Sequence, residues 1–130
     1  MTSDTTYDKN NIFAKILRGE APCRKVYEDD FAFAFDNIHP AAPIHVLVVP
    51  KGEYVSNADF SARAPDALVT GFWRAVGRVA NQLGLDEPGY RMVANHGADG
   101  NQIVFHFHVH ILGGRHVKSA SAEVKVEDKT

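Results

Sequence analysis

From Phe105 to Ile111, apolar side chains alternate strictly with histidines, Phe105-His106-Phe107-His108-Val109-His110-Ile111, ahead of Leu112 and the pair Gly113-Gly114. A two-residue period is that of a β-strand. It predicts a strand over residues 103–112, with His106, His108 and His110 on one face and Phe105, Phe107, Val109 and Ile111 on the other. Residues 24–28 and 31–35 read as a hairpin around the turn signal Asp29-Asp30. Residues 44–49 form a strongly β-forming run closed by Pro50, and residues 90–94 a fourth strand. Helical spacing appears twice. Ile12, Phe13, Ile16 and Leu17 give a short helix over residues 12–17, capped by Asn10 or Asn11 and stopped at Gly19. Leu68, Phe72, Val76, Val79 and Leu83 give a long one over residues 66–83, opened by Pro65 and Asp66 and stopped at Gly84. Residues 52–63 read as loop with a helical turn at most. The elements add up to an α+β fold, a five-stranded, mainly antiparallel sheet with two helices. Residues 1–10 read as a flexible N-terminus, 11–115 as a single domain and 116–130 as a C-terminal tail.

Composition narrows the function classes. A chain of 130 residues has room for one real core. A formal net charge of −2 gives no bulk attraction to nucleic acid or to an acidic membrane. Cys23 is the only cysteine, so no intramolecular disulfide forms, and a lone thiol suits a reducing, cytoplasmic setting. The polar N-terminus has no apolar signal region, and no apolar run is long enough to span a bilayer.

The histidine row therefore carries the chemistry, and three readings of it compete. The histidines are half-exposed strand residues without a role. Or they hold a metal, although three in a row on one strand diverge too far to close easily on one ion and no carboxylate or cysteine partner is obvious. Or one imidazole is a nucleophile that its neighbours orient. His45, the one polar residue in the run 44–49, fits the last reading as a group that steadies another imidazole. The stretch Asn95-His96-Gly97-Ala98-Asp99-Gly100-Asn101 is either a plain connection or a source of backbone N–H groups for an anion.

The run His106-Phe107-His108-Val109-His110-Ile111-Leu112 fits a pattern of three alternating histidines with an apolar residue at each gap. Together with Ile12-Phe13-Ala14-Lys15-Ile16, residues 34–50 (AFDNIHPAAPIHVLVVP), residues 89–102 (GYRMVANHGADGNQ) and Gly113-Gly114-Arg115, it resembles the histidine triad (HIT) family over residues 11–115. The chain is most similar to the family's small nucleoside phosphoramidase-type branch.

That resemblance implies a hydrolase or transferase acting at the α-phosphorus of nucleoside 5′-phosphoramidates or related mixed phosphates. His108 would form a nucleotidyl-imidazole, and His110 would bond the phosphate oxygens. His106, backed by His45, would steady the strand, and a backbone carbonyl would hold the Nδ1–H of His108. Ile12, Phe13, Ile16, Phe35 and Ile38 would line the pocket of a purine base, with Asn95 and Gln102 near the phosphate and leaving group. No metal or other cofactor enters the scheme. Asn37 stands where the family usually has an aspartate on the ribose hydroxyls, and Ile103 where it commonly has Ser or Thr. Asn11 and Ala14 occupy the positions of two zinc-binding cysteines in some relatives, so no such site is expected. The tail, residues 116–130, lacks the tryptophan common in the phosphoramidases. The resemblance also implies a two-fold homodimer with a continuous sheet, to which the broad apolar face of residues 66–83, Trp73 included, would contribute. The partners expected are a small nucleotide and a second copy of the chain, with no nucleic acid and no membrane. Two rivals stand beside this reading: a nucleotide-binding regulatory protein with little turnover, and a His-rich metal-binding protein.

Overall fold

A computed structural model describes residues 6–115. In chain order its elements are α1 (Ile12–Leu17), β1 (Lys25–Glu28), β2 (Ala32–Asp36), β3 (Ile44–Pro50), α2 (Asn57–Arg63), α3 (Asp66–Gln82), β4 (Arg91–Val93) and β5 (Val109–Gly113). The strands form one sheet in the order β1-β2-β3-β5-β4. Every neighbouring pair is antiparallel. Between β1 and β2, Asp29 turns the chain by accepting from the N–H groups of Phe31 (2.7 Å) and Ala32 (2.9 Å).

Strand β3 is central, and six of its seven residues are buried, which is why it reads as an unbroken apolar run. Its alternate residues serve two faces. Ala32, Ala34, Val46, Val48, Val109 and Ile111 pack with α3 and with Phe60 of α2 in the larger core. Phe33, Phe35, Leu47 and Val49 form a smaller cluster with Phe13 and Ile16 of α1. In the larger core Phe60 stacks on Phe107 with centroids 4.9 Å apart, and Phe72 lies edge-on to Phe60 at 5.3 Å. Burying each of these rings fully stabilises the fold by up to about 3 kcal/mol.

The structure corrects the sequence reading in two places. There are three helices, not two: residues 57–63 are a regular helix. Ser56 caps it, accepting from Asp59 N–H at 3.3 Å, and Asp59 returns the favour by accepting from Val55 N–H at 2.8 Å. Ser56-x-x-Asp59 is thus a capping-box signal that the sequence already contained. The last strand starts at Val109, not at residue 103. Pro50 explains the shortfall. His45 O and Lys51 N–H face β2, so by alternation the backbone of residue 50 faces β5. The register continues to a Pro50–Phe107 pair, for which proline has no N–H to donate. Phe107 N–H turns instead to Tyr54 O at 2.7 Å. Phe105 also leaves the expected apolar face and is 48% exposed. The expected C-terminal tail and its missing tryptophan lie outside the described residues.

Two glycines of α3 test the packing. A Cβ on Gly71 would fall inside the Phe31 ring, whereas one on Gly77 meets open space. Gly71→Ala is therefore expected to destabilise by about 1–3 kcal/mol despite its better helix propensity. Gly77→Ala is expected to stabilise by about 0.5–1 kcal/mol. Urea unfolding of the two variants beside the parent checks both signs.

Candidate active site

The start of β3, the start of β5 and the segment before it bring four imidazoles together on the α1 side of the sheet. His45, His106, His108 and His110 are all buried, His106 completely. A buried imidazole nitrogen without a partner is costly, so each ring must be matched to its surroundings.

The partners assign the protons. His45 Nδ1 accepts from Ala41 N–H at 2.9 Å, so neutral His45 carries its hydrogen on Nε2. That Nε2–H points at His110 Nδ1, 2.9 Å away. His110 Nδ1 is then an acceptor, and its hydrogen sits on Nε2, free to donate to a ligand. Asn37 Nδ2 lies 3.2 Å from His45 Nε2. Both are donors in this arrangement, so the shorter His45–His110 contact takes the proton. Asn37 Oδ1 accepts from His39 N–H at 2.8 Å, which fixes the orientation of the amide.

His108 is arranged the opposite way. Its Nδ1–H donates to the carbonyl of His106 at 2.7 Å, which leaves a lone pair on Nε2. The Phe13 ring meets it edge-on at 4.9 Å, and His110 stands 5.1 Å away, centroid to centroid. The Tyr7 hydroxyl lies 2.6 Å from His106 Nδ1. His106 Nε2 has no hydrogen-bond partner of regular geometry, and the Pro50 carbonyl is the backbone group that acts on it.

Burial sets the protonation of the whole group. It pushes His110 down to about 3, helped by the nearness of His108 and His45. It holds His106 down to about 4, with the neighbouring His108 opposing charge and the Pro50 carbonyl favouring it. It also lowers His108 and His45. Neutral imidazoles are what a lone-pair donor and an Nε2–H donor require.

Beside His45 opens a cavity of about 400 Å³ lined by Arg24, Asp36, Asn37, Ile38, Pro40, Pro43 and His45. Of the residues expected at a base or ribose, Asn37 and Ile38 line it, and Ile38 is 82% exposed. Phe13, Ile16 and Phe35 are buried in the smaller core cluster, from which Phe13 reaches His108. Ile12 is exposed on α1, and Asn95 is half-buried at the head of the glycine-rich loop.

Gln102 serves the loop itself. Its amide donates to Val55 O at 2.7 Å and Val104 O at 3.1 Å, and its oxygen accepts from Gly97 N–H at 2.9 Å. The N–H groups of Asn101 and Gln102 close back on Ala98 and Gly97. Gly100 is packed so tightly on the His96 backbone that a Cβ would overlap it. Of the N–H groups the loop was read as offering to an anion, those of residues 97, 101 and 102 are spent within it.

Sequence reasoning missed Arg24, which faces Asp36 at 3.5 Å on the cavity wall, and Tyr7. Neither stands in a recognisable pattern; Tyr7 is one aromatic in a polar run. Among the described residues, no group of three or more His, Cys, Asp and Glu is arranged to hold a metal ion, and no helix is long and apolar enough to cross a membrane.

The HIT domain family model matches residues 18–117. A HIT-like protein of Azospirillum brasilense is 57% identical over 110 residues, 85% of this chain and 90% of its own. The purine nucleoside phosphoramidase of Escherichia coli is 41% identical, over 82% of this chain and 89% of its own. Among solved structures, a histidine triad protein from Clostridium difficile superposes with a TM-score of 0.77 at 41% identity, covering 86% of this chain and 96% of its own. A HIT family hydrolase from Legionella pneumophila gives 0.76 at 37%, covering 85% and 97%.

The neutral histidines tie stability to pH. Their folded pKa values lie below the roughly 6.5 of an unfolded chain. Between about 4 and 6.5 the unfolded chain therefore binds protons that the fold excludes. Stability is expected to be full above pH 7 and to fall as pH drops towards 5. The slope is about 1.4 kcal/mol per pH unit for each histidine that stays neutral. Urea midpoints measured across that range check the direction.

Proposed function

This chain belongs to the HIT domain family, and from that premise we propose that it hydrolyses nucleoside 5′-phosphoramidates or related mixed phosphates through a nucleotidyl-His108 intermediate. The observation that carries the reading is the His108 side chain. Its Nδ1–H is tied to the His106 carbonyl, and its Nε2 lone pair is kept unprotonated by burial.

In the first step, Nε2 of His108 attacks the α-phosphorus. An N–P bond to the imidazole forms as the substrate's P–N bond breaks, and the nitrogen leaves with the electron pair of that bond and takes a proton from solvent, departing as the neutral amine. His110, with its Nδ1 held by His45, directs Nε2–H at a phosphate oxygen, where charge builds as the phosphorus becomes five-coordinate. Water then attacks the same phosphorus, a P–O bond forms as the P–N bond to His108 breaks, and the water's proton passes to solvent, which leaves free His108 and the nucleoside monophosphate. The intermediate divides one hard displacement into two easier ones.

The cavity beside His45 takes the nucleoside, with a purine as the preferred base. This preference is supported by the E. coli relative's name. Asn37 has its oxygen on His39 N–H, so it offers a ribose hydroxyl a donor only. Asn95 stands near the phosphate and leaving group in this reading, whereas Gln102 keeps their loop in shape. The reading includes a two-fold homodimer. Supporting it, β4 is a three-residue edge strand with Met92 51% exposed, and Trp73 is 42% exposed on α3. It also includes a cytoplasmic setting, in keeping with the lone half-buried thiol of Cys23.

Rapid mixing with adenosine 5′-phosphoramidate followed by intact-protein mass spectrometry tests the mechanism. A transient nucleotidyl adduct that survives chelator is expected in the parent. It should be absent in His108→Ala, with turnover lower by about three orders of magnitude or more. Tight nucleotide binding without adduct or turnover in the parent would instead identify a binding protein. Activity lost to chelator would point to a metal site.

A further inference from the structure

Tyr7 lies outside the stretch that the family model matches, yet it touches the histidine row directly. The arm that carries it is tied down at several points. Lys9 Nζ bonds both Glu53 carboxylate oxygens at 2.9 Å, Arg18 donates to Lys9 O at 2.9 Å, and Asn11 N–H donates to Asp8 O at 3.1 Å. The Tyr7 ring meets His106 edge-on at 5.6 Å.

The direction of the Tyr7–His106 hydrogen bond follows from the far side of the imidazole. If His106 donated from Nδ1, its Nε2 would be left as a buried lone pair with no donor to meet it. With Tyr7 O–H as donor, the hydrogen sits on Nε2, and the Pro50 carbonyl is the backbone group that favours a ring N–H. The carbonyl is available there because Pro50 makes no ladder pair with residue 107.

The consequence reaches the nucleophile through the backbone. His106 is not held in the sheet, and its own carbonyl is the acceptor for His108 Nδ1–H. Phe107 N–H on Tyr54 O anchors one side of that peptide unit. The His106 ring, gripped by Tyr7, anchors the other. We propose that Tyr7 is a positioning residue. Its hydroxyl fixes the tautomer and orientation of His106, and through the His106 carbonyl it fixes the aim of His108 Nε2. The N-terminal arm is then a working part of the site and not only a leader into α1. For its effect on rate, the proposal rests on the phosphoramidase reading; for its effect on His106 and His108, it does not.

Tyr7→Phe keeps the ring contact and removes only the hydroxyl. In full-length protein without ligand, ¹⁵N-detected histidine spectra are expected to show His106 Nδ1 losing its hydrogen-bonded character. They should also show the His108 Nδ1–H resonance moving as its acceptor shifts. In single-turnover reactions with adenosine 5′-phosphoramidate, the rate of nucleotidylation should fall about ten-fold, with the substrate concentration for half-saturation changed less than about two-fold. A purely structural arm would lower the melting temperature and leave the His108 resonance and the saturating rate as in the parent; that result overturns the proposal. If the parent itself forms no adduct, the phosphoramidase reading has failed. The His108 resonance then decides alone: a shift in Tyr7→Phe supports the positioning role, and no shift overturns it.

Discussion

The constraint on which the rest of the structure depends is that four imidazoles are buried together without charge. Burial takes the rings out of bulk water, and a protonated imidazole among its neighbours would suffer both desolvation and repulsion. The fold answers with fixed donors and acceptors. An amide N–H from residue 41 sets His45, His45 sets His110, and a carbonyl sets His108. The result is two imidazoles of opposite polarity side by side, one presenting a hydrogen and the other a lone pair. The chemistry proposed for the site needs that pairing, and the hydrogen-bond geometry produces it before any substrate arrives.

The two faces of the sheet divide the labour. On one, Phe60 stacks on Phe107, the residue between two histidines, and Phe72 packs edge-on to Phe60 and tilted to Phe107, which ties the helices to the sheet. On the other, α1 supplies Phe13 to His108 while Ile16 and Leu17 help close the smaller core. Phe107 is therefore more than core: it is the anchor from which His106 and His108 project on the opposite side. The polar loop before them is held in shape by one buried glutamine whose amide is spent on backbone groups.

Much of this was legible in the sequence because periodicity reports burial. The alternation around the histidines located the two faces, the three-and-four spacing located α3, and Asn11 marked the start of α1. The misreadings have local causes. Residues 52–63 hid a helix because it is short and buries a single residue, Phe60, so no apolar stripe repeats along it, and the capping signal at Ser56 and Asp59 was passed over. The strand was drawn too long because alternation says which way side chains point, not whether a partner strand can pair with them. Gln102 was placed near the phosphate and leaving group by resemblance; its amide also bonds two backbone carbonyls and one N–H, a structural duty that no local pattern announces. The Tyr7 contact spans 99 positions along the chain, and no local pattern can announce that.

Where the ladder ends has a further consequence for how the site moves. His110 belongs to a strand paired on both sides, while His106 and His108 stand on the approach to it, tied through residues 54 and 55 and the side chain of Gln102. Opening that approach breaks no ladder pair but would lift Phe107 from Phe60 and Phe72, so buried rings and not strand pairing hold it closed. The hydrogen that Pro50 lacks thus places a boundary between two cooperative units. His108 sits on the side held by side-chain packing and loop tethers, and His110 on the side held by the strand ladder.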